Sequence, residues 1–272
     1  MNALPPRANQ LLLGHRAAEA AVVDALRTGR MHHAWMITGP PGVGKATLAY
    51  RFARRLLAGV PRDQSLVLDP ADPVFRRVAA SAHADLHTIE RSINPQTKRQ
   101  RTEIVVDDVR DGAEFLRLTA AEGGWRVLIV DQADELNRNA ANALLKVLEE
   151  PPPRAILLLV CSAPGRVPVT IRSRCRRLRL SPLPDAVMAE LLACYLPETL
   201  IEERDRLIAL AEGSPGRALL LAEEKGLELA ALTEAVLSAL PDLTPVRAHE
   251  VADRLGRSDG AFSTFFDLLR AS

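Results

Sequence analysis

Two clusters of residues in this chain could carry phosphate chemistry of their own, and a third could act on phosphate held by another molecule. The first cluster is Gly39-Pro40-Pro41-Gly42-Val43-Gly44-Lys45-Ala46, which has the G-x-x-x-x-G-K spacing of a phosphate-binding loop. Glycines let such a loop curl until successive backbone N–H groups point inward. A helix that starts there adds its positive end, and a lysine in the place of Lys45 reaches the outer phosphates. The last position departs from the pattern. Where a Ser or Thr hydroxyl ligates Mg²⁺ this chain has Ala46, and Thr47 stands about 100° further round a helix. A plain glycine turn between strand and helix is the competing reading, and Lys45 argues against it. Phosphates of ATP are expected to fit, with magnesium entering only alongside nucleotide and short of one protein ligand.

The second cluster is the apolar run Val127-Leu128-Ile129-Val130, which ends in Asp131. A carboxylate at the carboxyl end of a sheet strand can face the loop and hold Mg²⁺ through water; a helix N-cap or turn acid is the alternative. ATPases of this class place Glu next, to polarise the attacking water, whereas here the residue is Gln132. An amide is no general base at neutral pH, so Ala46 and Gln132 together predict a site that turns ATP over poorly. Asp134 and Glu135 read as solvated loop or first-turn acids. The third cluster is basic: Arg172, Arg174, Arg176, Arg177 and Arg179 lie in one short segment. A planar guanidinium suits the charge developing on a transferring phosphoryl group. These arginines fit three roles: a finger lent to a neighbouring subunit, a patch for DNA phosphates, or a solubilising surface. Arg91, Lys98, Arg99 and Arg101 form a further basic stretch. It reads as a mobile solvated loop ahead of a DNA contact, because no aromatic is interleaved to stack bases.

Positioning these clusters takes strands that end side by side. Short β-rich runs at Ala34–Thr38, Leu86–Ile89, Val127–Val130, Ile156–Cys161 and Leu178–Leu180 alternate with helical patterns such as Ala46–Leu57 and Asn139–Glu150. That alternation predicts βαβ units and a mainly parallel sheet. The central runs are apolar without alternation, as strands covered on both faces are. Gln64–Ala82 and Ile93–Thr102 carry no strong periodicity and read as insertions or exposed loops. After Ser181-Pro182-Leu183-Pro184 only helical patterns follow, at Asp185–Leu196, Ile201–Ala211, Pro215–Glu224, Leu227–Leu240 and Val246–Leu255. Three modules are expected: an α/β nucleotide-binding core over 1–181, a helical module over 182–241, and the start of another helical unit over 242–272.

Charge follows the same division. Residues 1–181 carry 27 Lys and Arg against 18 Asp and Glu, whereas residues 182–272 carry 8 against 16, although the whole chain stands at only +1. Modules with different partners account for this, and so does charge that segregates by domain to aid packing. No stretch approaches the roughly 20 apolar residues of a membrane span, and Met1–Gln10 holds no signal-peptide run. Cys161, Cys175 and Cys194 are odd in number and scattered. That argues against a disulfide scaffold and against a zinc module, and fits a reducing cytoplasm.

Three further stretches carry a family likeness: His33-Ala34-Trp35, Asn142-Ala-Leu-Leu-Lys-Val-Leu-Glu-Glu-Pro151 and Pro168-Val-Thr-Ile-Arg-Ser-Arg-Cys175. With the phosphate loop they resemble the bacterial AAA+ clamp-loader subunits of DNA polymerase III, over roughly residues 10–220. The absent zinc cysteines, Ala46, Gln132 and the intact Ser173-Arg174-Cys175 look like the family's non-hydrolysing subunit rather than its ATP-hydrolysing gamma/tau subunit. An ATP-hydrolysing AAA+ motor is the alternative, and a P-loop kinase for a small substrate is disfavoured by the lid-like helices after 182. The resemblance implies an AAA+ P-loop NTPase core with a five-stranded parallel sheet, a small all-α lid and the start of an all-α collar that assembles a pentamer. It implies gamma/tau and delta subunits, the sliding clamp and primed DNA as partners in a cytoplasmic DNA-polymerising holoenzyme, with no membrane and no zinc. By residue, it implies that Arg174 is a finger for a neighbouring gamma/tau site and that Gly39 to Thr47, with Asp131 and Gln132, form the nucleotide site. Ser162 is the nearest match to a polar sensor. Arg217, in Gly213-Ser-Pro-Gly-Arg217-Ala-Leu219, stands one place later than the motif's sensing arginine.

Overall fold

A computed structural model describes residues 4–59, 65–241, 244–255 and 259–271. The chain divides into two compact units, 2–182 and 183–272. In the first unit five parallel strands, β1 (Ala34–Thr38), β2 (Leu86–Ile89), β3 (Arg126–Val130), β4 (Ala155–Cys161) and β5 (Arg176–Arg179), form one sheet in the order β2-β3-β4-β1-β5. The five-stranded parallel sheet between helices is the α/β core that the sequence led us to expect. The central strands β1, β3 and β4 are buried at every position, which is why their sequences show no polar alternation.

Successive side chains of a strand point to opposite faces, and the two cores divide accordingly. Trp35, Ile37, Val127, Ile129, Ile156 and Leu158 pack on α1 (Arg16–Thr28) and α2 (Lys45–Leu57). Met36, Leu128, Val130, Leu157 and Leu159 pack on α4 (Val106–Arg117), α5 (Arg138–Glu149) and the short α6 (Val169–Arg172). Burying each such side chain contributes about 1.5–3 kcal/mol before conformational entropy is counted. Asn137 starts α5 by accepting a hydrogen bond from the Ala140 N–H at 2.9 Å, and Pro151 follows its end.

One loop expectation needs correcting. Within 64–82, of which Gln64 lies outside the described residues, α3 (Pro73–Ala79) forms and buries Val74, Phe75 and Val78. Its start was written in the sequence as Asp72-Pro73: the Asp72 carboxylate accepts from the Val74 N–H at 2.7 Å, and proline suits the first helical turn. Helix α3 is too short for periodicity to reveal.

The second unit holds only helices among its described residues: α7 (Asp185–Tyr195), α8 (Ile201–Ala211), α9 (Pro215–Glu223), α10 (Gly226–Ser238), α11 (Pro245–Leu255) and α12 (Asp259–Ala271). Leu191, Leu192, Leu207, Ile208, Ala211, Ala218 and Leu221 supply the core of α7, α8 and α9. The expected boundary at 241/242 meets residues 242 and 243, which lie outside the described residues. Among the described residues no helix is long and apolar enough to cross a membrane.

Candidate functional site

Parallel strands all end at one edge of the sheet, and that edge is where ligands of open α/β folds bind. Here β1 runs into Gly39, β3 into Asp131 and β4 into Ser162. Because β4 pairs with both β1 and β3, the sequence-distant loop and acid come to strand ends on either side of it. Gly39 could be no other residue: a Cβ there would lie 2.4 Å from the Leu180 carbonyl oxygen, while the Leu180 N–H donates to the Thr38 carbonyl at 2.7 Å. Gly44 takes φ +102°, and a Cβ on it would meet Leu12 Cδ1 at 2.8 Å. Lys45 opens α2 and is buried, its ammonium donating to the Pro40 carbonyl at 2.6 Å. Burial holds its pKa below the ordinary lysine value, against the pull of Asp134, Cys161 and Asp131. Ala46 offers no oxygen, and Thr47 is buried in α2.

Burial pushes the Asp131 carboxyl above its usual range, with Glu90 and Asp134 adding to the rise and the Gln132 N–H and Lys45 opposing it. Asp131 donates its own N–H to the Ile89 carbonyl at 2.9 Å. Gln132 follows in the left-handed region at φ 57°, ψ 54°, with its side chain exposed. Of the two readings of Asp134 and Glu135, solvated loop acids or first-turn acids, the second holds, and both are half-buried. They stand in the first turn of a 3-10 helix, Ala133–Glu135. Asp134 accepts from the N–H of Ser162 and of Ala163, both at 3.0 Å, and so ties the acid turn to the end of β4. Glu135 pairs with Arg91 at 3.0 Å. Cys161 lies beside Asp134, its thiol pushed up to about 12, chiefly by burial.

The basic stretch 91–101 is a largely exposed loop with fastenings of its own. Arg91 is held by Glu135, an antiparallel bridge joins Ile93 to Gln100, and Asn94 Oδ1 accepts from the N–H groups of Gln96 and Thr97. Neither the ion pair nor the asparagine turn leaves a periodic signal in the sequence.

Residues that the sequence reading passed over complete the loop's surroundings. The segment before α1 lies against α2, where Arg54 donates to the carbonyls of Arg7 and Asn9, each at 2.9 Å. Arg51 donates to the Gln10 carbonyl and to Glu19, the latter at 2.6 Å. His15 Nε2 donates to the Val43 carbonyl inside the loop at 2.7 Å. Arg51 stands about 60° round the helix from Leu48, and a charge beside an apolar stripe is the signal that could have found it, whereas Arg54 stands about 120° away and gives no such signal.

Of the five arginines around β5, Arg176 stacks on the Trp35 ring at 4.6 Å, while Arg174 lies in the turn between α6 and β5. Its Nη1 donates to the Thr170 carbonyl at 3.0 Å and its Nη2 pairs with Glu149 Oε1 at 3.0 Å. Ser173 Oγ donates to the same Thr170 carbonyl at 3.1 Å. Cys175 packs against the α5-side core, and burial raises its thiol to about 12. In Ser-Arg-Cys, therefore, Ser173 and Arg174 both fasten to the Thr170 carbonyl, Cys175 packs inward, and Arg174 stays partly exposed beside Glu149. Arg217 belongs to the helical unit, where it pairs with Glu212 at 3.1 Å and its N–H donates to the Ser214 cap.

A sequence profile described as "DNA polymerase III, delta subunit" matches residues 14–184. The DNA polymerase III subunit delta' of Pseudomonas aeruginosa is 38% identical over 184 residues, covering 67% of this chain and 53% of that protein. Its counterpart in Escherichia coli is 34% identical over 203 residues, or 74% and 57%. The subunit tau of Escherichia coli is 32% identical over 219 residues, or 78% and 32%. The chain thus spans about half the length of the delta' relatives and a third of tau.

Proposed function

Since this chain belongs to the DNA polymerase III delta-subunit family, we propose that it is a delta'-type subunit of the clamp loader, which presents Arg174 to a neighbouring ATP site and hydrolyses little ATP itself. The observation that carries the reading is the opposite condition of its two phosphate-directed sites. At its own site Lys45, at the start of α2, lies within the field of Asp131, and Gly39 and Gly44 let the loop turn where a side chain would meet Leu180 and Leu12, so the residues fit a nucleotide. Bound ATP would be held by Gly39 to Thr47, including Pro40, Pro41 and Val43, and would bring the phosphoryl group. Magnesium would rely on Asp131 and water, because Ala46 has no hydroxyl and Gln132 is no base. At the other site Arg174 is oriented and has donors to spare.

In this reading residues 182–241 serve as lid, with Arg217 its nucleotide-sensing candidate and Ser162 the polar sensor of the core, and 242–272 begin a collar that joins gamma/tau and delta subunits in a pentamer. The assembled complex loads the sliding clamp onto primed DNA. The likeness to tau favours one other reading, an ATP-hydrolysing motor, and the two part on a simple assay. With Mg²⁺ and primed DNA the isolated chain is expected to show negligible ATP turnover, and Ala46→Ser with Gln132→Glu to leave it equal or higher. Robust turnover by the unchanged chain would make it the motor.

A further inference from the structure

We propose that Glu149 is the positioning residue of the arginine finger: it holds the Arg174 guanidinium in a fixed orientation before the neighbouring subunit arrives. The inference rests on the finger reading above and adds how the finger is aimed. Arg174 has a side chain 37% exposed, and Glu149, the last residue of α5, one 47% exposed. An exposed arginine carries several rotatable bonds, and ordering it at the moment of docking opposes the reaction. Two contacts from different elements order it beforehand. The Thr170 carbonyl takes Nη1 at 3.0 Å and the Glu149 carboxylate takes Nη2 at 3.0 Å. The negative end of the α5 dipole adds to the attraction for a cation at that point.

A guanidinium has five N–H donors, so these two contacts leave three for a phosphoryl group. The pair is a poor device for stability, since half-exposed ion pairs contribute little to folding. Its effect is therefore expected in turnover and not in melting temperature. Arg176 is spent on Trp35, and Arg174 is the arginine of this segment given both an acidic partner and a carbonyl splint.

The test is a double-mutant cycle in the reconstituted clamp loader, reading DNA-stimulated ATP turnover as kcat and KM, with assembly checked by gel filtration. Glu149→Ala is expected to lower kcat about three- to tenfold, the range set by leaving one long side chain to be ordered during reaction, and Glu149→Gln to lower it less. Arg174→Ala is expected to lower it further, and adding Glu149→Ala to Arg174→Ala to change nothing more, because a positioning residue has no effect without the group it positions. Equal falls in both backgrounds would make Glu149 merely structural and overturn the proposal. So would unchanged or raised kcat for Glu149→Ala alongside a large fall for Arg174→Ala, the raised value indicating a restraining latch. An Arg174→Ala variant with no effect would instead sink the finger reading, and this inference with it.

Discussion

Single side chains at the strand ends decide what the proposed nucleotide site can do, and Asp134 shows how a residue close to it can serve geometry instead. Its two carboxylate oxygens each accept a backbone N–H, from Ser162 and Ala163, and so fix the turn after Asp131 to the end of β4. A carboxylate suits this because it accepts on both oxygens and donates on neither. Asparagine would turn an NH₂ toward one of those N–H groups and leave it unsatisfied. Asp134→Asn is therefore expected to cost about 1–3 kcal/mol in urea unfolding, and an unchanged midpoint would show that the two bonds do not hold the turn. Gly39 and Lys45 are constrained as tightly by Leu180 and Pro40, whereas Gln132 is exposed and unconstrained in chemistry. Geometry is thus kept at this site, while an amide and not a carboxylate follows Asp131.

At the scale of elements, the segment before α1 is a strap over the phosphate loop, and its fastening is polar. Arg51 and Arg54 from α2 hold its carbonyls, and His15 donates into the loop at Val43. Burial lowers the His15 pKa below 6.5, with Val43 and Glu19 opposing. In the window between that lowered value and 6.5 the unfolded chain binds the proton more readily than the folded one, so stability falls as pH falls. Urea midpoints are expected to be lower at pH 5.5 than at 7.5, and His15→Gln to narrow the gap without closing it, since burial also lowers His33, His83 and His87. A gap that His15→Gln leaves intact would remove His15 from this role.

The strands and the helices flanking the loop and Asp131 were legible in the sequence because buried runs and glycine signals are local. The strap was not legible, because backbone carbonyls gripped by arginines 41–47 residues away leave no periodic trace. The Asp134 bonds and the Glu149–Arg174 pair were hidden for the same reason: each joins residues that only the β3-β4-β1 order or the α5–α6 packing brings together.

For the molecule as a whole, an α/β unit with an excess of positive charge is followed by a helical unit with an excess of negative charge. That asymmetry suits a subunit whose modules meet different neighbours. In the proposed function the first unit offers phosphate two places of different competence: a loop without the magnesium hydroxyl or a carboxylate after Asp131, and an arginine splinted at the surface. In that function the second serves another subunit's ATP. The most direct test of this is DNA-stimulated ATP hydrolysis by a reconstituted clamp loader carrying Arg174→Ala, with assembly verified. An arginine finger contributes about 10³–10⁵ in rate at the site it serves, so turnover is expected to collapse at that site while the complex stays whole. Undiminished turnover in an intact complex would contradict the claim and leave the chain a scaffold.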